Sequence, residues 1–117
     1  MSKPKDPDEL ELVRLAISLD VSGCCEWVEK EARRIEAQPP ISGLTPEGIR
    51  ALLQEFVRDG NEIVQVQEGR SKRDRPFYYK AIIPIAAFRR GLFVEIVLVD
   101  EDPHYLVVRI VNAHEQS

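Results

Sequence analysis

The hydrophobic period of this chain changes once, at Gly60, and that change limits the folds open to it. Before Gly60, apolar residues recur at steps of three and four, the helical period. After Gly60 they alternate, as in strands with one covered face. A chain of 117 residues has room for one core, so both halves must share it. Helices followed by strands around one core make an α+β domain.

Residues 1 to 7 read as a loose leader, and residues 8 to 38 as a helical extension. From Asp8, Leu10, Val13 and Ile17 fall on one helical face, widened by Leu12, Leu15, Ala16 and Leu19. "DVSG" breaks the run and offers Asp20 or Ser22 as an N-cap. A second helix is expected over Gly23 to Ala37, with a seam of Val21, Cys25, Val28, Ala32 and Ile35. Its solvated face carries Glu26, Glu29, Lys30, Arg33 and Glu36, and Trp27 lies off the seam, partly buried. Pro39 ends it. The third helix has the clearest signals: Thr45 as N-cap, Pro46 as first residue and Glu47 in the first turn. Ile49, Leu52, Leu53, Phe56 and Val57 form its stripe, and Gly60 stops it.

Four strands are expected after Gly60. "EIVQVQEG" sets Val64 and Val66 opposite Gln65 and Gln67, and "FYYKAIIPI" carries Pro84 at an edge or bulge. "LFVEIVLV" and "YLVVRIVNA" flank the turn "DEDPH". Their even-numbered apolar residues face one core when even opposes even, which pairs Val99 with Tyr105 and Glu95 with Arg109. The fold expected is therefore α+β: three N-terminal helices followed by a four-stranded antiparallel β-meander, in a single domain.

Charge and composition exclude several classes. The net charge is −4, and the first 59 residues hold eight Lys/Arg against twelve Asp/Glu. A protein built on phosphate contacts carries a basic surplus, which this chain lacks overall. The longest uncharged apolar run, "AIIPIAAF", is far shorter than the roughly 20 residues of a spanning helix. The start "MSKPKDPDELE" has no apolar segment to act as a signal peptide, so a cytosolic protein without membrane contact is expected. Adjacent Cys24 and Cys25 suit reduced thiols better than a strained bridge.

Three clusters carry candidate chemistry. In "GRSKRDRPFYYK", Arg70, Lys72, Arg73, Arg75 and Lys80 surround Phe77, Tyr78 and Tyr79, the mixture of cations and aromatic faces that RNA binding uses. Read blandly, the same stretch is a solvated hairpin loop whose Phe77 and Tyr79 pack inward. Arg109 has the charge to stabilise a phosphodiester transition state and His114 the means to move its proton. Read blandly, they are a cross-strand ion pair and an exposed end. The acidic turn of Asp100, Glu101, Asp102 and His104 matches no calcium loop. No phosphate-binding loop, nucleophile elbow or cofactor signature occurs, and no cofactor is expected.

From Leu44 to Glu115 the order of one helix and four strands, closing on "VVRIVNAH", resembles the RelE/ParE toxin superfamily, with BrnT-type ribonuclease toxins nearest. The resemblance implies metal-independent cleavage of RNA, with an antitoxin as protein partner. It matches Arg109 to the family's strand arginine, His114 to a following polar position and Lys80 to a strand-borne cation. Three differences stand beside it: an acidic chain, two further helices over residues 8 to 38, and a sheet face those helices are placed to cover. The alternative expectation is a non-enzymatic interaction or homodimerisation domain, using a surface near Trp27 or an open sheet edge.

Overall fold

The computed structural model describes residues 6–19, 24–37, 44–69, 76–100, 102 and 106–116. Its elements are α1 (Pro7–Ser18), β1 (Cys25–Trp27), α2 (Glu29–Ala37), α3 (Pro46–Arg58), β2 (Val64–Gln67), β3 (Phe77–Ile85), β4 (Phe88–Asp100) and β5 (Val107–Glu115). Helix α1 is capped by Asp6, whose carboxylate accepts the Glu9 N–H at 3.0 Å. Helix α3 follows its sequence signals throughout. Thr45 Oγ1 accepts the Gly48 N–H at 3.0 Å. At the other end Gly60 adopts φ 87, and Gly60 and Asn61 donate to the carbonyls of Val57 and Phe56. That is the Schellman arrangement, and it uses two carbonyls the helix leaves unpaired.

The expected four-stranded antiparallel meander after three helices is corrected to a five-stranded mixed sheet, ordered β1-β5-β4-β3-β2. Strand β1 runs parallel to β5 and the other pairs are antiparallel. The helix expected over Gly23 to Ala37 is split: Cys25–Trp27 is strand, and only Glu29–Ala37 is helical. The physical reason lies in β5, whose outer edge needs hydrogen-bond partners. The Val108 N–H donates to Cys24 O, and the Val28 N–H to Ile110 O, both at 2.9 Å. Cysteine, tryptophan and valine are weak helix formers, so little helical preference opposes this pairing. The expected caps Asp20 and Ser22 lie outside the described residues.

Beyond Trp27 the same edge is closed by side chains. Glu31 accepts the Ala113 N–H at 3.0 Å, while Arg34 donates to the Ala113 carbonyl at 2.8 Å. Arg34 also donates to both Glu31 oxygens, at 2.8 and 2.7 Å. The pair thus acts as a one-residue extension of β1. Burial alone would raise the Glu31 carboxyl, but the bonds from Arg34 and Ala113 outweigh it and hold the group below the usual carboxylate range.

The β4–β5 register also differs from expectation. Val97 opposes Arg109 and Leu98 opposes Val108, two residues from the expected pairing, and Glu95 opposes Asn112. Even still meets even there, because the apolar rows must share a face. Irregularities at Leu98/Asp100 and Glu95/Ile96 absorb one residue each, and the second returns Ala113 to the core side. Pro84 sits at the Ile83/Ile85 irregularity of β3, beyond the reach of β2, where its missing N–H leaves no ladder bond unmade.

All three helices pack on one sheet face. Val13, Ala16, Ile17, Ile35, Ile49 and Leu53 meet Tyr79, Ile83, Leu92, Val94, Ile96, Val108 and Ile110 in a single buried cluster. Leu15, expected on the buried face of α1, is 49% exposed. In β2 the polar residue turns inward: Gln65 donates to Tyr79 Oη and Asp6 O, both at 2.8 Å, and accepts the Asp6 N–H at 2.9 Å. The fully buried Tyr79 hydroxyl donates to Glu9 Oε1 at 2.9 Å. This network ties α1 to β2 and β3 and leaves no buried polar side-chain atom unpaired among the described residues. Val64 and Val66 therefore face the other way.

Two substitutions separate strain from crowding. Gly91 has φ 92, and a Cβ there would lie 3.0 Å from Ile82 Cγ2 and from Ile83 O, whereas one on Gly60 would meet nothing. Gly91→Ala is expected to cost about 3 kcal/mol and Gly60→Ala about 1 kcal/mol, read by urea unfolding. Equal costs would remove the close-approach account. For Glu31, a depressed carboxyl stabilises the fold above its ordinary range and loses that contribution as pH falls through the folded value. The stability gap between the native chain and Glu31→Gln should therefore be largest near neutrality and narrow as the pH is lowered below about 4.

Candidate functional site

The helix-free face of the sheet holds Tyr78, Lys80, Arg109 and His114, while Phe77 and Tyr79 of the aromatic group lie on the core side. In β3, Tyr79 and Ala81 point to the core, so Tyr78 and Lys80 point away from it. In β5, Val108 and Ile110 are buried, so Arg109 faces outward. His114, paired with Phe93 across the ladder, lies on the same outward face. Arg70, Lys72, Arg73 and Arg75, the basic loop expected to bind RNA, lie outside the described residues, as do Glu101 and His104 of the acidic turn. In that turn the Asp102 N–H donates to Asp100 Oδ1 at 3.0 Å, an ordinary turn contact. No cluster of three metal-ligating side chains occurs among the described residues.

Arg109, Lys80 and His114 each have a neighbouring side chain on this face. Arg109 Nε and Nη2 both donate to Glu26 Oε1, at 3.0 and 2.6 Å. Parallel pairing sets these two residues side by side, so the expected Glu95 is replaced by Glu26 as the partner. Lys80 is the ladder partner of Glu95, which is itself only 5% exposed and is flanked on its other side by Asn112. His114 stacks on Phe93, with ring centroids 4.7 Å apart and planes 20° from parallel. Its Nδ1 lies 2.9 Å from Glu115 O, so Nδ1 carries the proton and Nε2 is the acceptor in the neutral ring.

The three expected catalytic residues share a face without converging. Lys80 and Asn112 are separated by two strand spacings, about 10 Å, and His114 is two residues further along. Arg109 and His114 are four to five residues apart on β5, roughly 15 Å. One scissile phosphate needs its acid, base and charge stabiliser within hydrogen-bond reach. This spread suits several separate contacts with a large partner and not one reacting centre.

Phe93 and Asn112 were not among the residues the sequence marked, and Glu26 was read as part of a solvated helix face. Cys25, Glu26 and Trp27 make a strand of three residues, too short for a period of two to compete in sequence with the helical charge pairs around it. Trp27 is half-buried, as expected, and its Nε1–H donates to Pro46 O at 2.9 Å. Beside it a cleft of about 790 Å³ opens between β1, α2 and the start of α3, with Glu36, Glu47 and Arg50 at its margin. Arg50 there donates to Glu47 at 2.5 Å.

Burial pushes the Cys25 thiol up to about 12, against the opposing pull of the Arg50 guanidinium. Cys25 is buried and Cys24 is partly exposed, both with free thiols. One equivalent of iodoacetamide label per chain is expected at pH 8, on Cys24, with Cys25 reacting only after denaturation. Peptide mapping that finds native Cys25 labelled as fast as Cys24 contradicts this placement. No known protein family matches the chain, and no curated protein or solved structure is significantly similar to it.

Proposed function

We propose that this chain is a small binding module that works through the helix-free face of its sheet and catalyses no reaction of its own. The observation that carries this reading is the composition of that face. Val64 is 42% and Ile82 36% exposed, with half-buried Val66 on β2 and half-buried Phe93 and Val97 on β4 on the same face. Lys80 and Arg109 stand beside Glu95 and Glu26, so among the described residues the middle of the face has no excess of positive charge. An apolar centre with compensated charges matches the anatomy of protein–protein interfaces better than that of phosphate-binding surfaces.

A second reading keeps the RelE/BrnT-like resemblance: an RNA-binding or RNA-cleaving protein, with an antitoxin covering the same face. One observation favours it. Lys80, Arg109 and His114 all point away from the helices, so the helices leave the residues that the resemblance marks uncovered. The spacing between them counts against cleavage.

Titration of the purified chain with single-stranded RNA separates the two. On the first reading, binding is no tighter than about 10⁻⁴ M at physiological salt, and RNA stays intact on prolonged incubation. Tight binding that weakens steeply between low and physiological salt, and that Lys80→Ala or Arg109→Ala abolishes, installs the second reading instead. Cleavage lost in His114→Ala would do so outright.

A further inference from the structure

We infer that the partner of the helix-free face is a second copy of this chain, packed sheet on sheet about a two-fold axis. This rests on the binding-module reading and names its occupant. A two-fold interface brings a surface against itself, so the surface has to be complementary to its own charges. The chain as a whole carries −4, which sets two copies to repel. The middle of this face is the exception. Toward its centre the described charges are Glu26 and Arg109, bonded to each other, and Lys80 and Glu95, ladder partners: two of each sign, with exposed Arg89 beside Ile82 toward the end of the face. A copy of the same face meets them without a like-charge surplus. A strongly basic or acidic partner gains nothing from a balanced surface.

Size points the same way. Strands β3, β4 and β5 are nine, thirteen and nine residues long, and β2 and β1 widen the sheet at its two edges. Four strand spacings by about nine residues give a footprint on the order of 600 Å². Each partner of a standard interface buries about 800 Å² of accessible surface, which a side-chain-covered footprint of this size approaches. Exposed Val64 and Ile82 lie on neighbouring strands, β2 and β3, and Phe93 on β4 opposes Ile82, so the apolar patch spans three adjacent strands inside that footprint. The opposite layer offers no such area: the helices there cover the sheet, and Leu15 is the exposed large apolar residue among its described side chains.

Sedimentation equilibrium of the full chain tests the inference. At roughly 100 µM, above the weakest dissociation constants of interfaces this size, the native chain should sediment at twice its chain mass. Val64→Lys combined with Ile82→Lys should sediment as a monomer, with its circular dichroism spectrum unchanged because both side chains are already exposed. Leu15→Lys, on the helical layer, should remain a dimer. A native chain that is monomeric at this concentration overturns the inference, as does a dimer that survives the double substitution or that Leu15→Lys dissociates. Monomeric behaviour leaves the binding-module reading standing, since that reading falls only to salt-dependent RNA binding or cleavage in the titration described above.

Discussion

The pairing of three residues, Cys25–Trp27, with the outer edge of β5 governs the rest of this architecture. An uncovered edge on the last strand would leave its N–H and C=O groups to solvent or to another chain. Strand β1 takes up that edge over Val108–Ile110, and the Glu31–Arg34 pair takes it up at Ala113. The two solutions are adjacent because α2 begins two residues after β1 ends. One short segment thus supplies backbone partners and then side-chain partners to consecutive stretches of the same strand.

Fixing β1 there also settles the side on which the helices lie. Helices α1 and α2 flank β1 in sequence, and both contact β5. With α3 packed on β3 and against α1, the helical layer covers one face from end to end. The Tyr79 hydroxyl, held between Glu9 and Gln65, anchors the far side of that layer. Burial and the Glu9 carboxylate raise the Tyr79 phenol despite the Gln65 bond, which keeps it protonated and able to donate. A buried network of this kind specifies a position, because an unmade bond inside the core is costly.

The uncovered face follows by subtraction. It collects the second residue of every alternating pair: Val64, Tyr78, Lys80, Ile82, Phe93, Glu95, Arg109 and His114. Three of them looked like an enzyme's equipment in one dimension. In three dimensions each is matched to a neighbour, Arg109 to Glu26, Lys80 to Glu95 and His114 to Phe93, and the three lie too far apart to act on one atom. What is left, among the described residues, is a half-apolar surface whose central charges stand beside charges of opposite sign.

Helix α3 was legible to the residue, because Thr45, Pro46, the apolar stripe and Gly60 are local signals that depend on backbone geometry within one turn. The alternation of β3, β4 and β5, the irregularity at Pro84 and the outward placement of Lys80 and Arg109 were legible for the same reason, since side-chain period is a property of the strand itself. Strand β1 was not. Its helical-looking charges were outweighed by hydrogen-bond demand from residues more than eighty positions away. The β4–β5 register was equally hidden, because parity restricts it only to steps of two and the bulges at Val99 and Val111 shift it without a turn signal. Local signals along the chain thus sufficed for helix α3 and for the alternating faces of β3, β4 and β5 up to Ile110. The tertiary structure alone decided which edge met which partner, and with it that Arg109 answers Glu26, because long-range pairing is chosen by the unsatisfied groups of a distant strand.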